Sequence, residues 1–170
     1  MRRSVPCVLV GLLLAVANGC GGGGGSSQTT TSQAQKPPVS PLVALERAAR
    51  TAVHENARAS DYALIHNTVP SWASQSTSGP ALATMRASVA QRQAGRVTVR
   101  LLASAVQISS VAVDPSYLTA TAKVVERSHL RVYQHGRPVG GVRSLSEPAR
   151  IELHRIGDKP AFVVWRLTPA

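Results

Sequence analysis

An aspartate, a tyrosine and a histidine stand at positions 61, 62 and 66. On a helix Tyr62 and His66 lie one turn apart with Asp61 beside them. The three can then share a pocket mouth, with His66 as a general base oriented by the carboxylate. The same residues also suit plainer work: Asp61 in a first helical turn complements the helix dipole, Tyr62 packs, and His66 meets water. Nothing else in the chain forms a recognisable catalytic set. His54, His129, His135 and His154 have no mutual spacing that would make a metal site. There is no Ser-centred elbow, no glycine loop with an accompanying lysine, and no acidic cluster to hold a divalent ion. The sequence therefore implies neither a metal nor a cofactor.

These candidates belong to a helical first half. Ser40 can cap a helix whose first residue is Pro41, where a missing N–H is harmless. Leu42, Leu45, Ala49, Ala52 and Val53 recur at three- and four-residue spacing, which predicts a helix over 41–57. Ser60 and Asp61 give a second start signal. It predicts a short helix through Tyr62, Leu64 and Ile65 that stops before Pro70. Residues 71–79 read as a polar turn holding Trp72. A third helix over 80–94 carries Leu82, Met85 and Val89 on one side, with Gly95 as its C-terminal cap.

After Gly95 the apolar period changes to two. Val97, Val99 and Leu101 supply one strand and residues 106–113 a second, followed by a turn at Asp114-Pro115-Ser116. Leu118, Ala120, Ala122 and Val124 then face one way along a strand that continues or bends through Leu130, Val132 and Tyr133. A turn at His135-Gly136-Arg137-Pro138 leads to a strand over 147–156. The turn over 157–160 returns the chain along 161–167. Helices first and antiparallel strands after them make an α+β domain.

The first forty residues are of another kind. Arg2 and Arg3 precede an apolar run over 5–16 that is too short to span a bilayer comfortably, and small residues Ala17 and Gly19 follow it. This reads as a cleaved export signal. The small residue before Cys20 resembles the lipobox of bacterial lipoproteins, although Ala17 stands where those proteins usually have Leu. Acylation would spare Cys20 from being a bare, exposed thiol. Cys7 is discarded with the signal, so internal disulfides, thiol catalysis and cysteine-held metals are excluded. Residues 21–40 carry one charge and no aromatic side chain and cannot bury a core. As a Gly/Ser-rich tether of about 20 residues, they reach roughly 25 Å. The expected organisation is a lipoprotein signal over 1–19, a lipidated Cys20 with linker over 20–40, and one α+β domain over 41–170. The expected location is the outer face of the cytoplasmic membrane, reached through the lipid anchor.

The stretches TATAKVVERSHLRVYQHGR (119–137) and ARIELHRIGDKPAFVVWRL (149–167) look like paired long strands. With the helices ahead of them, their order resembles the nuclear transport factor two-like superfamily, whose helices close a curved, cone-shaped antiparallel sheet around a pocket. The chain is also similar to the intermembrane-space domain of chloroplast-division proteins and to the related mitochondrial import-motor domain. There, a strand of alternating small residues ending in Glu, here Glu126, precedes a basic strand. The superfamily includes isomerases, cyclases and dehydratases that use Asp, His and Tyr at the pocket, which would place Asp61, Tyr62 and His66 there. It also dimerises through the open sheet face, which makes Val163, Trp165 and Leu167 the candidate homodimer surface.

Charge is the remaining signal. Without Arg2 and Arg3 the chain has 17 basic against 8 acidic residues, about +9. Arg127, Arg131, Arg137, Arg150 and Arg155 are the candidate basic surface, suited to an anionic membrane or envelope polymer. Nucleic acid is not expected as a partner, because the six aromatic residues are not grouped as a stacking platform. Two functions follow. One is a non-enzymatic envelope lipoprotein that binds a protein, peptide or small ligand, or serves as a scaffold. The other is an exported enzyme of the same superfamily. Titratable side chains converging inside the main pocket would favour the enzyme.

Overall fold

Nothing between Pro41 and His66 interrupts a helix, and α1 (Pro41–His66) runs unbroken for 26 residues. The structure, a computed structural model, describes residues 40–170. The export signal, Cys20 and most of the linker lie outside the described residues. The two helices expected over 41–57 and from Ser60 are therefore one. Ala57, Ala59 and Ala63 keep helix propensity high across the junction, and Asp61 bonds to the sheet instead of capping a new helix. The helix ends where Asn67 adopts the left-handed conformation, φ 51°. Leu42 is exposed, so the buried stripe begins at Leu45 and continues through Ala49, Ala52, Val53, Ala59 and Ala63.

A 3-10 turn (Ser71–Gln75) stands where a polar turn was expected, and α2 (Gly79–Ala94) follows it. Five strands complete the chain: β1 (Val97–Val113), β2 (Thr119–Gln134), β3 (Arg137–Pro138), β4 (Arg143–Arg155) and β5 (Phe162–Pro169). The main path is β1-β2-β4-β5, antiparallel throughout, with the two-residue β3 paired to the end of β2. The helices pack on this curved sheet, which is the expected α+β class.

β1 corrects the expectation of two separate strands. Its register against β2 shifts between Leu101 and Ala103 and again between Ile108 and Ser110. Each bulge inserts one residue and reverses the parity of the side chains beyond it. Val99 and Leu101, then Ser104, Val106 and Ile108, then Val111 and Val113 consequently all share the helix-facing side. A broken alternation in the sequence is thus one continuous strand with two corrections. The tight β2–β3 turn has positive φ at both His135 and Gly136, as a two-residue I′ hairpin requires.

The main core joins Leu45, Ala49, Ala52 and Val53 of α1 to Ala120, Ala122 and Val124 of β2 and to Ile151, Leu153, Phe162 and Val164. A smaller cluster of Ala59, Ala73 and Leu82 lies under the helical end. The free edge of β5 is sealed by the segment before α2. Val164 N–H donates to Ser76 O at 2.8 Å, and Ser78 N–H donates to Val164 O at 2.9 Å. The three residues expected as a dimer surface are dispersed. Val163 is buried and Trp165 stacks on His154, while a bulge at the Glu152/Leu153 step turns Leu167 toward the helix side. The three residues do not form one exposed face. No helix among the described residues is long and apolar enough to cross a membrane.

Candidate functional site: a carboxylate-lined cleft under the helices

The even-numbered residues of β2 face the helices, so the side that buries Ala120, Ala122 and Val124 next presents Glu126. Antiparallel register sets Glu126 opposite Val106 of β1 and opposite Glu147 of β4. α1 lies above this side and projects Asp61 toward it, where Ser104 Oγ donates to Asp61 Oδ1 at 3.1 Å. The result is an open cleft of about 500 Å³ between both helices and the inner face of the sheet. Asp61, Glu126 and Glu147 supply its negative charge, Arg92, Arg127 and Arg166 also border it, and Leu64, Met85, Leu145 and Leu167 form its apolar wall.

Burial sets the electrostatics. Burial pushes the Glu126 carboxyl above its ordinary range, and the nearby charges of Asp61 and Glu147 push it further. Asp61 is also raised by burial, against the opposing pull of the Ser104 hydroxyl. Like charges directly across a strand pair destabilise a sheet. Glu126 and Glu147 are such a pair, with Asp61 adding to the repulsion. Arg92 also lines the cleft but is held back from it: its Nε donates to Asn67 Oδ1 and its Nη2 to Ala63 O, both at 2.9 Å. Burial lowers the Arg92 pKa. Its role here is to tie α2 to the C-terminal end of α1.

The catalytic triplet read from the sequence does not assemble. Five residues of helix rotate His66 roughly 140° from Asp61, and one residue rotates Tyr62 about 100°. Asp61 enters the cleft. Tyr62 and His66 instead pack against each other with ring centroids 4.2 Å apart, and Tyr62 meets Trp72 edge-on at 6.3 Å. The partners of Asp61 are Ser104 and Glu126, from strands 43 and 65 residues away in the sequence. Of these, Glu126 was within reach of strand parity alone, since it continues the Ala120, Ala122, Val124 series. Glu147 and Ser104 depend on register and on the first bulge of β1. Among the described residues no group of three His, Cys, Asp or Glu side chains is placed to hold a metal ion.

The basic candidates divide as well. Arg127, Arg131 and Arg150 lie on the outer face of the sheet, away from the helices. Arg137 pairs with Gln134 and so lies on the opposite side. Arg155 braces the β4–β5 turn, its Nη2 donating to Asp158 O at 2.6 Å and its Nε to Lys159 O at 3.1 Å. Arg100, Lys123 and Arg166 complete the outer face; of these, Arg100 and Lys123 were not among the basic residues expected in the sheet region.

No family model matches the chain, and no curated protein does. Among solved structures, the crystal structure of the intermembrane space region of chloroplast protein ARC6 superposes with a TM-score of 0.59 at 13% identity. The match covers 73% of this chain and 95% of that one. The likeness is one of fold. It agrees with the similarity drawn from the β2 and β4–β5 stretches, and it is carried by architecture, since few residues are shared.

Proposed function

We propose that the chain is a lipid-anchored, extracytoplasmic binding module built on a nuclear transport factor two-like cone. Cys20 is its anchor, residues 21–40 its tether, and the cleft its binding site. The observation that supports the reading is the lining of the cleft. Three carboxylates meet an apolar wall in a space of small-molecule size, with Arg92 and Arg127 at its border bonded to Asn67, Ala63 and Gln107 and with Arg166 beside them. The mutual repulsion of the carboxylates is a stability cost that a cationic guest relieves. The ligand class that fits is an organic ammonium ion with an apolar body. Asp61 and Glu126 receive the charged end, and Leu64, Met85 and Leu145 cover the remainder.

Calorimetric titration of the protein with hexylammonium, with hexanoate as the control, tests this. Hexylammonium is expected to bind, and the double substitution Asp61→Asn, Glu126→Gln is expected to weaken it by at least about tenfold, the value of one charge-assisted contact. Equal binding of hexanoate, or no effect of the substitutions, overturns the ligand class.

A second reading, an exported enzyme of isomerase, cyclase or dehydratase type, is favoured by the convergence of titratable side chains in the cleft, the feature expected above of an enzyme. Asp61 and Glu126 share the cleft with both carboxyls raised, as proton-transfer groups often are. Turnover of a bound guest, with a rate that follows the titration of this pair, would distinguish it from passive binding.

A further inference from the structure

Six cations share the outer face of the sheet: Arg100 on β1, Lys123, Arg127 and Arg131 on β2, Arg150 on β4 and Arg166 on β5. All six are exposed. Two pairs are set directly opposite in register, Arg100 with Arg131 and Lys123 with Arg150. Like charges in that position oppose sheet formation. Among the described residues none of the six has a carboxylate within ion-pair distance. The one acidic side chain on this face, Glu152, is bonded to His154 at 2.9 Å. Arg150 and Arg166 flank a shallow depression lined by Thr119, Thr121 and Thr168 and also by Glu152, which lies opposite Arg166 and is bonded to His154. The Thr168 hydroxyl donates to Arg150 O at 3.2 Å, so the two guanidinium groups are what the depression offers an oxyanion.

The end of the sheet beside that depression is apolar. Tyr117 and Leu118 at the β1–β2 turn and Ile156 at the end of β4 are exposed, Leu118 to 62%. Arg155 N–H donates to Leu118 O, which holds the two turns side by side. α1 begins at this same end: Asn67 at its far terminus bonds Val97 O, and Asp61 meets Ser104. Twenty residues of helix before Asp61 then carry Pro41 about 30 Å toward Val113 and Thr119.

We propose that this outer face docks on an anionic phospholipid bilayer, with Tyr117, Leu118 and Ile156 entering the interface and phosphate groups meeting Arg150 and Arg166. A cationic surface alone would suit any polyanion. The apolar end selects the bilayer, because a soluble polymer offers nothing in which to bury it. Its place beside Pro41, where the tether joins, rests on the anchored reading above; the face and its charge do not.

Cosedimentation with vesicles of phosphatidylcholine alone or with added phosphatidylglycerol tests the proposal. Residues 41–170 contain every member of both core clusters, so the domain is used without Cys20 and its binding is independent of acylation. It is expected to bind only the anionic vesicles, less strongly as salt rises. Lys123→Glu and Arg131→Glu each convert an opposed cation pair into an ion pair. Their combination is expected to keep or raise Tm while weakening vesicle binding, by about fivefold per unit of charge and more than about a hundredfold in all. Leu118→Asp is expected to weaken it further. Unchanged binding by the charge variants overturns the proposal. So does equal affinity for soluble polyphosphate with no effect of Leu118→Asp, which would make the partner a polymer. Vesicle binding by the domain together with an unacylated Cys20 would leave the docking face standing and remove the anchor.

Discussion

Asn56 Nδ2 donates a 2.7 Å hydrogen bond to Thr77 Oγ1, with both side chains almost wholly buried. The bond joins the middle of α1 to the segment that seals the edge of β5. Asn56→Ala leaves the Thr77 hydroxyl without this partner in the interior and is expected to cost about 2 kcal/mol in urea unfolding. Thr77→Val is expected to cost a similar amount, and the double substitution less than the two together.

Gly79 opens α2 with φ +52°, and a Cβ there would lie 2.5 Å from the Trp165 ring. Gly79→Ala therefore combines an unfavourable backbone conformation with a side-chain clash. The expected loss is about 2 kcal/mol or more, accompanied by a change in Trp165 fluorescence. Gly136, also at positive φ, has open space around its Cβ position. Gly136→Ala should show the backbone cost without the fluorescence change.

The raised carboxyls in the cleft set a pH dependence. A carboxyl whose pKa is higher in the folded chain than in the unfolded one is charged more readily after unfolding. Its effect on stability is therefore neutral below the unfolded value, close to 4.5 for Glu126. Stability then falls as pH rises from that value to the raised one, and the loss persists above it. Glu126→Gln is expected to raise Tm at pH 7, and the gain should shrink away as pH is lowered to roughly 4. A gain of the same size at both pH values would place its origin in packing.

The anchor has its own check. Metabolic labelling with an alkynyl palmitate is expected to tag the wild-type protein and to leave Cys20→Ala untagged. The mature N-terminus by mass spectrometry should be Cys20 carrying diacylglycerol. A product that keeps residues 1–19, or a bare Cys20 thiol, would contradict the export reading.

Much of this fold was legible because periodicity reports burial. Ala120, Ala122 and Val124 alternate on β2 and are buried as the pattern requires, and Leu45, Ala49, Ala52 and Val53 form the helical stripe. What the pattern could not show was continuity. Ser60 and Asp61 resemble a helix start, yet the alanines around them carry the helix through. The two phase changes in β1 resemble a gap, yet bulges absorb them. The site was less legible for a related reason. Asp61 is adjacent in sequence to Tyr62 and close to His66, but helical rotation separates them, whereas Glu126 and Glu147 reach it only through strand pairing. The basic surface shows the same limit: Arg155 reads like its neighbours and is committed to a turn, while Arg100 joins the cationic face through its register with Arg131.

The cleft is the centre of the functional account, and amide chemical-shift mapping of residues 41–170 titrated with hexylammonium tests it most directly. Shifts are expected at Asp61, Ser104, Glu126 and Leu145, saturating together and absent in the Asp61→Asn, Glu126→Gln variant. Shifts confined to the outer face of the sheet, or none at millimolar probe, would contradict it.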